Sequence, residues 1–372
     1  MKLFDVYQLF DINPVRAEGS WIWDDKGERY LDLYGGHAVI SIGHSHPQYV
    51  QSITEQLKQI GFYSNSVRND LQEKLAEKLG RISGYVDYQL FLCNSGAEAN
   101  ENALKLASFV TGRKKVIAFK NAFHGRTSGA VAATDNPKIV APFNANHEIV
   151  FVDLNDEQGF SESLTPDVAA VIVEGIQGVA GIRTPDDAFM QLIQKAAREN
   201  RSLFIVDEVQ SGYGRTGKFF AHQHARVEPD LITVAKGMGN GFPIGGVLIS
   251  PKIKPWAGML GTTFGGNYLA CAAGLAVLDV IESEQLMENA GTIGNLLLNE
   301  IAGISSVHDV RGRGLMIGFD LPESSKTREH LLYRHRIFTG EAKPNTIRLL
   351  PSLGLKKEEA SLFISALKQE LS

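Results

Sequence analysis

The stretch Leu231-Ile232-Thr233-Val234-Ala235-Lys236-Gly237-Met238-Gly239-Asn240-Gly241 decides the fold class of this chain. Its first five residues are apolar or β-branched types that fit a buried strand, and the glycines that follow mark a tight turn. Lys236 stands at the seam, where a lysine held in place can serve as a nucleophilic amine. Upstream, Leu203-Phe204-Ile205-Val206 is a second run of the same kind and ends in Asp207-Glu208-Val209-Gln210. A carboxylate and an amine therefore occupy the carboxyl ends of two buried-type strands, the edge at which open parallel sheets bind ligands.

Outward from these runs the alternation continues. Short apolar stretches at 90–93, 116–119, 149–152, 168–173 and 246–249 are interleaved with longer amphipathic ones, notably 97–110 and 186–200. Strands alternating with helical segments predict an α/β fold with a mostly parallel sheet covered on both faces. Residues 21–32 read as a small hairpin bent at Asp24-Asp25-Lys26-Gly27, and 266–282 as a long helix. Strands at 315–320 and 347–350 and a terminal helix from Lys356 follow, with the run Arg311-Gly312-Arg313-Gly314-Leu315 as a turn. The expected division is a large domain at 50–265 and a small α+β domain built from both chain ends, 1–49 and 266–372.

The chain has 372 residues, 44% hydrophobic and 21% charged, with 37 glycines, which describes a globular protein of roughly two domains. A net charge of -5 gives no polybasic footprint, arguing against nucleic acid and anionic membrane as partners. Cys93 and Cys271 are the two cysteines, without metal-ligand spacing or a disulfide framework, which fits a reducing compartment. The first ten residues lack the apolar core of a signal peptide, and no run of eighteen apolar residues occurs, so a cytoplasmic location is expected.

The amine and the carboxylate together suit a cofactor that needs a Schiff-base lysine and an acid opposite a ring nitrogen, which is pyridoxal 5'-phosphate. Asp207 and Val209 project to the same side of an extended chain, so one can face the nitrogen while the other packs a ring face. Asp-Glu after a strand equally suits a loop cap or a metal site. Asn94-Ser95-Gly96-Ala97-Glu98-Ala99 follows a strand and opens a helix, where amides and the helix dipole favour a phosphate; an ordinary N-cap explains it as well. Phe123-His124-Gly125-Arg126 offers an aromatic face and a guanidinium that can clamp a carboxylate, and Arg348 interrupts an apolar strand where a charge needs a partner or a ligand. His44 and His46 read as structural.

Taken together, these blocks resemble the class III, ornithine-type aminotransferases of fold type I, nearest the acetylornithine and succinylornithine branch, over nearly the whole chain. The resemblance is carried by Gly43-His44-Ser45-His46-Pro47, Asn94 to Asn100, Phe123 to Arg126, Asp207-Glu208-Val209-Gln210-Ser211-Gly212-Tyr213-Gly214-Arg215-Thr216-Gly217, Ala235-Lys236-Gly237 and Thr262-Thr263-Phe264-Gly265-Gly266-Asn267. It implies that Lys236 carries pyridoxal phosphate, that Asp207 pairs with the ring nitrogen, that Val209 and Phe123 sandwich the ring and that Gln210 approaches its hydroxyl. Ser95, Gly96 and Ala97 would hold the phosphate, with Thr263 supplied by the second subunit of a homodimer. Thr262 would lie near substrate, and Arg126 and Arg348 would bind carboxylates, with Glu208 as the switchable partner of Arg348. The implied reaction moves the terminal amino group of an N2-acylated ornithine to 2-oxoglutarate in arginine biosynthesis. Ornithine, 4-aminobutyrate or an aminomutase reaction remain alternatives on the same scaffold.

Two departures bear on the substrate. The family's Glu-Pro-x-x-Gly-Glu-Gly-Gly block stands here as Glu174-Gly175-Ile176-Gln177-Gly178-Val179-Ala180-Gly181, and after Ser64-Asn65, where aromatic residues are usual, the chain has Ser66-Val67-Arg68. Arg68 could meet an extra carboxylate and favour a succinyl over an acetyl donor; a solvated surface arginine is the plain alternative.

Overall fold

Seven strands form the central sheet of the computed structural model, which describes residues 1–322 and 324–371. Their order is Gln89–Cys93, Gly245–Ile249, Leu231–Val234, Leu203–Asp207, Val168–Glu174, Lys115–Phe119 and Ile149–Val152. Val168–Glu174 is buried at every residue, as its unbroken apolar run requires of a central strand covered on both faces. Pairing is parallel from Leu231–Val234 through to Ile149–Val152. Gly245–Ile249 instead runs antiparallel to both of its neighbours. The reason is the connection: residues 235–244 are too few for the dozen or more that a parallel crossover needs, so the chain turns straight back.

That pairing positions chemistry. Glu174 stands in register with Asp207, and Asp207 with Thr233, so two carboxylates reach the same sheet edge at which the turn carrying Lys236 begins. On one face Gly96–Thr111 packs over Leu231–Val234 and Gly245–Ile249 through Ala99, Ala103 and Ala107, small residues one helical turn apart that allow close approach. On the other, Asp187–Asn200 buries Phe189, Met190, Ile193 and Ala197, with Phe189 edge-on to Phe119 and Phe160. Burying one such phenylalanine contributes about 2–3 kcal/mol.

Two four-stranded sheets complete the fold. One joins Pro14–Glu18, Trp21–Asp24 and Arg29–Asp32 to Ile337–Phe338, and the other orders His308–Arg313, Met316–Asp320, Thr346–Leu349 and Gly340–Ala342. The chain's two ends meet: Ile337 pairs with Leu31, while Ser20 and Trp21 donate to the Glu359 carboxylate on helix Lys357–Leu371. Hairpin 21–32 forms as expected, its bend held by Asp24 accepting from Lys26 N and Glu28 N. The long helix runs Tyr268–Ser283, capped by Asn267. Helices Pro47–Gln59, Asp70–Ser83 and Leu286–Ala302 are ones the strand-and-turn pattern does not single out. The expected turn at Arg311-Gly312-Arg313-Gly314 is corrected: strand His308–Arg313 extends through it, pairing Gly312 with Ile317, and only Gly314 and Leu315 turn. At Gly312 a Cβ would collide with Met316 O across the ladder, and the φ of 124° is one that residues with a side chain rarely adopt.

Between the hairpin and the first helix the backbone is left-handed at four successive residues, Gly35 (φ 56), Gly36 (φ 54), His37 (φ 67) and Ala38 (φ 66). Asp32 fixes this run by accepting from Tyr34 N at 3.0 Å and Gly35 N at 2.8 Å, while His44 Nε2 holds its other oxygen at 2.9 Å. A Cβ on Gly35 would lie 2.7 Å from Leu350 O, whereas one on Gly36 would meet nothing within 4 Å. Gly36→Ala should therefore cost about 1 kcal/mol through backbone strain alone, and Gly35→Ala about 2–4 kcal/mol because overpacking is added. Thermal unfolding of the two variants checks this, and equal midpoints would contradict it.

Candidate active site

The sheet edge and the start of helix Gly96–Thr111 enclose a cavity of about 390 Å3 lined by Lys236, Asp207, Glu174, Phe123, Val209 and Gly96, among others. Asp207 is buried and fully engaged. Its Oδ2 accepts from Asn100 Nδ2 at 2.7 Å and His124 Nδ1 at 2.8 Å, and its Oδ1 from Val209 N at 2.9 Å. Asn100 is itself locked, donating to His124 O and accepting from Thr233 Oγ1, both at 2.7 Å. Neither Asn100 nor His124 ranked as a site residue in the sequence. The available signal was an asparagine on the buried face of its helix, among Ala99, Ala103, Leu106 and Ala107. His124 Nε2 is buried without a hydrogen-bond partner, leaving it ready for one.

Lys236 has a left-handed φ of 45°, a strained setting for a residue with a side chain and one that clusters at functional sites. Enclosure by the cavity walls pulls its ammonium below the usual lysine range, against the opposing pull of the Asp207 and Glu174 charges. Glu174 accepts from Phe123 N at 2.9 Å and Gly178 N at 3.2 Å. Burial pushes its carboxyl up to about 7, with His124 opposing the rise and Asp207 adding to it.

At the helix start both sequence readings hold at once. Ser95 Oγ caps the helix by accepting from Glu98 N at 3.2 Å, and the Glu98 carboxylate reaches back to Asn94 N at 2.7 Å. The first amides of a helix have no partner inside it, and Gly96 and Ala97 bring theirs to the cavity wall. Only glycine fits at two points of this wall: a Cβ on Gly96 would lie 2.5 Å from Val209 Cγ1, and one on Gly125 2.6 Å from Ala97 Cβ. Gln210 donates to His37 O at 3.1 Å, and its Oε1 is buried without a partner.

Arg348 is buried, its Nε and Nη1 donating at 2.8 Å to the carbonyls of Glu341 and Gly178. Burial pulls the Arg348 guanidinium below its usual range. Arg126 lies exposed at the cavity margin. Neither arginine forms an ion pair with an acid among the described residues. Glu208, expected as the switchable partner of Arg348, forms no ion pair with it in this structure. Its carboxylate is wholly buried and takes Ser211 Oγ, Ala221 N, His222 N and His222 Nδ1, with Tyr85 O–H donating in turn to His222 Nε2. The physical reason is strand alternation, which turns neighbours Asp207 and Glu208 to opposite sides. Thr262 Oγ1 lies 3.4 Å from Asn94 Nδ2 at the edge of the cavity, while Thr263 is exposed and outside its wall. Val179 lines the cavity where the related pattern has a glutamate.

A family model described as aminotransferase class-III matches residues 5–371. The chain belongs to the class-III aminotransferases. It is 41% identical to the acetylornithine aminotransferase of Archaeoglobus fulgidus, over 92% of this chain and 91% of that one. It is 39% identical to the acetylornithine aminotransferase of Bacillus subtilis, over 100% and 98%. Among solved structures, the ornithine aminotransferase of Toxoplasma gondii superposes with a TM-score of 0.90 at 28% identity, covering 98% of this chain and 91% of that one. In that structure pyridoxal phosphate partly occupies the active site. The acetylornithine aminotransferase of Elizabethkingia anophelis gives 0.86 at 32% identity, covering 98% and 95%. As a class-III aminotransferase the chain is a transaminase of fold type I that depends on pyridoxal phosphate. The cavity suits that group: unpaired helix-start amides for an anion, a caged carboxylate for a ring nitrogen, a low-pKa amine for an aldehyde and a glycine wall that leaves space for a flat ring.

The electrostatics give a directional test on cofactor-free enzyme. Because the Asp207 charge favours the protonated amine, Asp207→Asn should move the Lys236 pKa further down. The pH dependence of Lys236 acylation, read by peptide mapping, checks it; an upward move would contradict the assignment.

Proposed function

We propose that this aminotransferase moves the terminal amino group of an N2-acylated ornithine, acetyl or succinyl, to 2-oxoglutarate, releasing the semialdehyde and glutamate. It would serve arginine biosynthesis in the cytoplasm as a homodimer. One observation carries the reading: Arg126 lines the cavity, Arg348 is buried next to it through its bond to Gly178 O beside the lining residue Val179, and neither forms an ion pair with an acid among the described residues. Two cations match the two carboxylates of 2-oxoglutarate, and one of them matches the single carboxylate of an acetylated donor. The names of the relatives point to the same donor class. Among the described residues no helix is long and apolar enough to cross a membrane.

Bound pyridoxal phosphate supplies the electron sink that makes the carbon beside the donor nitrogen acidic. The residues do the rest. The Lys236 amine would hold the cofactor and, when displaced by the donor amine, would move the proton from that carbon; burial pulls its pKa down, which favours the neutral form that can accept a proton. Asp207, fixed by Asn100, His124 and Val209 N, keeps an acceptor facing the ring nitrogen. The Gly96 and Ala97 amides with Ser95 hold the phosphate, with Thr263 arriving from the second subunit. Phe123 and Val209 pack the ring, and Gln210 approaches its hydroxyl. Arg348 receives the α-carboxylate of 2-oxoglutarate or glutamate, Arg126 the remaining carboxylate, and Thr262 borders the substrate.

Titration of the purified yellow enzyme tests the proposal. N2-acylated ornithine should bleach the cofactor band and 2-oxoglutarate restore it, while Lys236→Ala should lower turnover by several orders of magnitude. Bleaching by ornithine or 4-aminobutyrate but by neither acylated donor would overturn it.

A further inference from the structure

We propose that Arg68 acts across the subunit boundary, entering the second subunit's active site beside Thr263 and receiving a carboxylate on the acyl end of the donor. The preferred donor is then N2-succinylornithine. This rests on the acyl-ornithine reading above.

Arg68 cannot serve its own cavity, because no residue of 62–68 contributes to that wall. Its loop is instead bolted to the segment that carries Thr263. Asn65 Nδ2 donates to Thr262 O at 3.2 Å and Gly265 O at 3.1 Å, Asn69 Nδ2 to Gly266 O at 3.1 Å, and Gln72 Nε2 to Gly266 O at 2.8 Å. Arg68 and Thr263 therefore travel as one rigid unit, and whatever surface accepts one accepts the other.

That unit is apolar where water would otherwise reach it. The rings of Phe62 and Phe264 pack with centroids 5.3 Å apart yet remain exposed, Phe264 by 60%, and Tyr63 and Val67 extend the patch. A clustered apolar face of this kind marks an interface. The occupant is a second copy of this chain: Thr262 lies within reach of Asn94 in the cavity wall, so the patch borders the cavity mouth. In a two-fold contact the same patch meets itself, which brings each copy of the unit to the mouth of the other's cavity.

Charge counting then selects the ligand. Among the residues lining the cavity the cations are Lys236 and Arg126, while Arg348, outside that lining, donates to the carbonyls of Glu341 and Gly178. With Lys236 given to the cofactor, Arg348 outside the lining and set aside for the α-carboxylate of 2-oxoglutarate, and Arg126 on that of the donor, a second carboxylate at the acyl end needs a cation beyond the mouth. Arg68 is exposed there, without a hydrogen bond or ion pair among the described residues. An acetyl group would leave it without a counterion.

The test is steady-state kinetics of the holoenzyme with N2-succinyl- and N2-acetylornithine. Wild type should favour the succinyl donor, and Arg68→Ala should raise its KM about 10- to 100-fold relative to any change for the acetyl donor, with Arg68→Lys recovering part of the loss. A purified heterodimer of one Arg68→Ala protomer and one Lys236→Ala protomer decides the geometry. Its one working Lys236 lies in the Arg68→Ala protomer, so a near-normal succinyl KM supports delivery from the other subunit, and a raised KM overturns it. Equal use of both donors, unmoved by Arg68→Ala, overturns the inference while the acyl-ornithine reading stands. Turnover of neither donor overturns both.

Discussion

The structure depends on one register. Glu174, Asp207 and Thr233 stand side by side at the ends of three parallel strands, and the chain leaves the third directly into the turn that carries Lys236. Glu174 and Asp207 cannot shift along their strands without breaking ladder hydrogen bonds. This is why an amine and two carboxylates persist at one edge despite the desolvation each suffers. The helix Gly96–Thr111 then completes the arrangement twice over, offering open amides at its first turn and Asn100 one turn further on as the clamp for Asp207.

Much of this was legible in the sequence because its parts are local. The apolar runs, the glycine turn after Lys236 and the capped helix start at Ser95 each follow from spacing within a few residues, and they specified the sheet, the amine and the anion pole. The antiparallel course of Gly245–Ile249 was hidden because it depends on the length of a connection and not on the strand's own composition. The run at Arg311 misled for a related reason. Gly312 serves close approach between strands while Gly314 makes the turn, and the two purposes look the same until the partner strand is known.

The site residues divide along the same line. Asp207 could be assigned from its strand, but its neighbour Glu208 could not, since its partner His222 sits on a segment whose position only tertiary packing decides. The same alternation that made Asp207 readable sends Glu208 into the core, where burial without its four donors would be severely unfavourable. Arg348 makes no bond to Glu208 here and donates to two backbone carbonyls, with the charges of Glu174 and Glu341 acting on it from a distance.

The clasp between the hairpin at Trp21 and the helix bearing Glu359 has a bearing on biogenesis. The strand pair Leu31 with Ile337 closes a loop of almost the entire polypeptide, so the segment beside Arg348 cannot settle until the ribosome has delivered the last tenth of the chain. Until then the nascent hairpin lacks its mate, and the setting of Arg348 is among the last features of the molecule to mature.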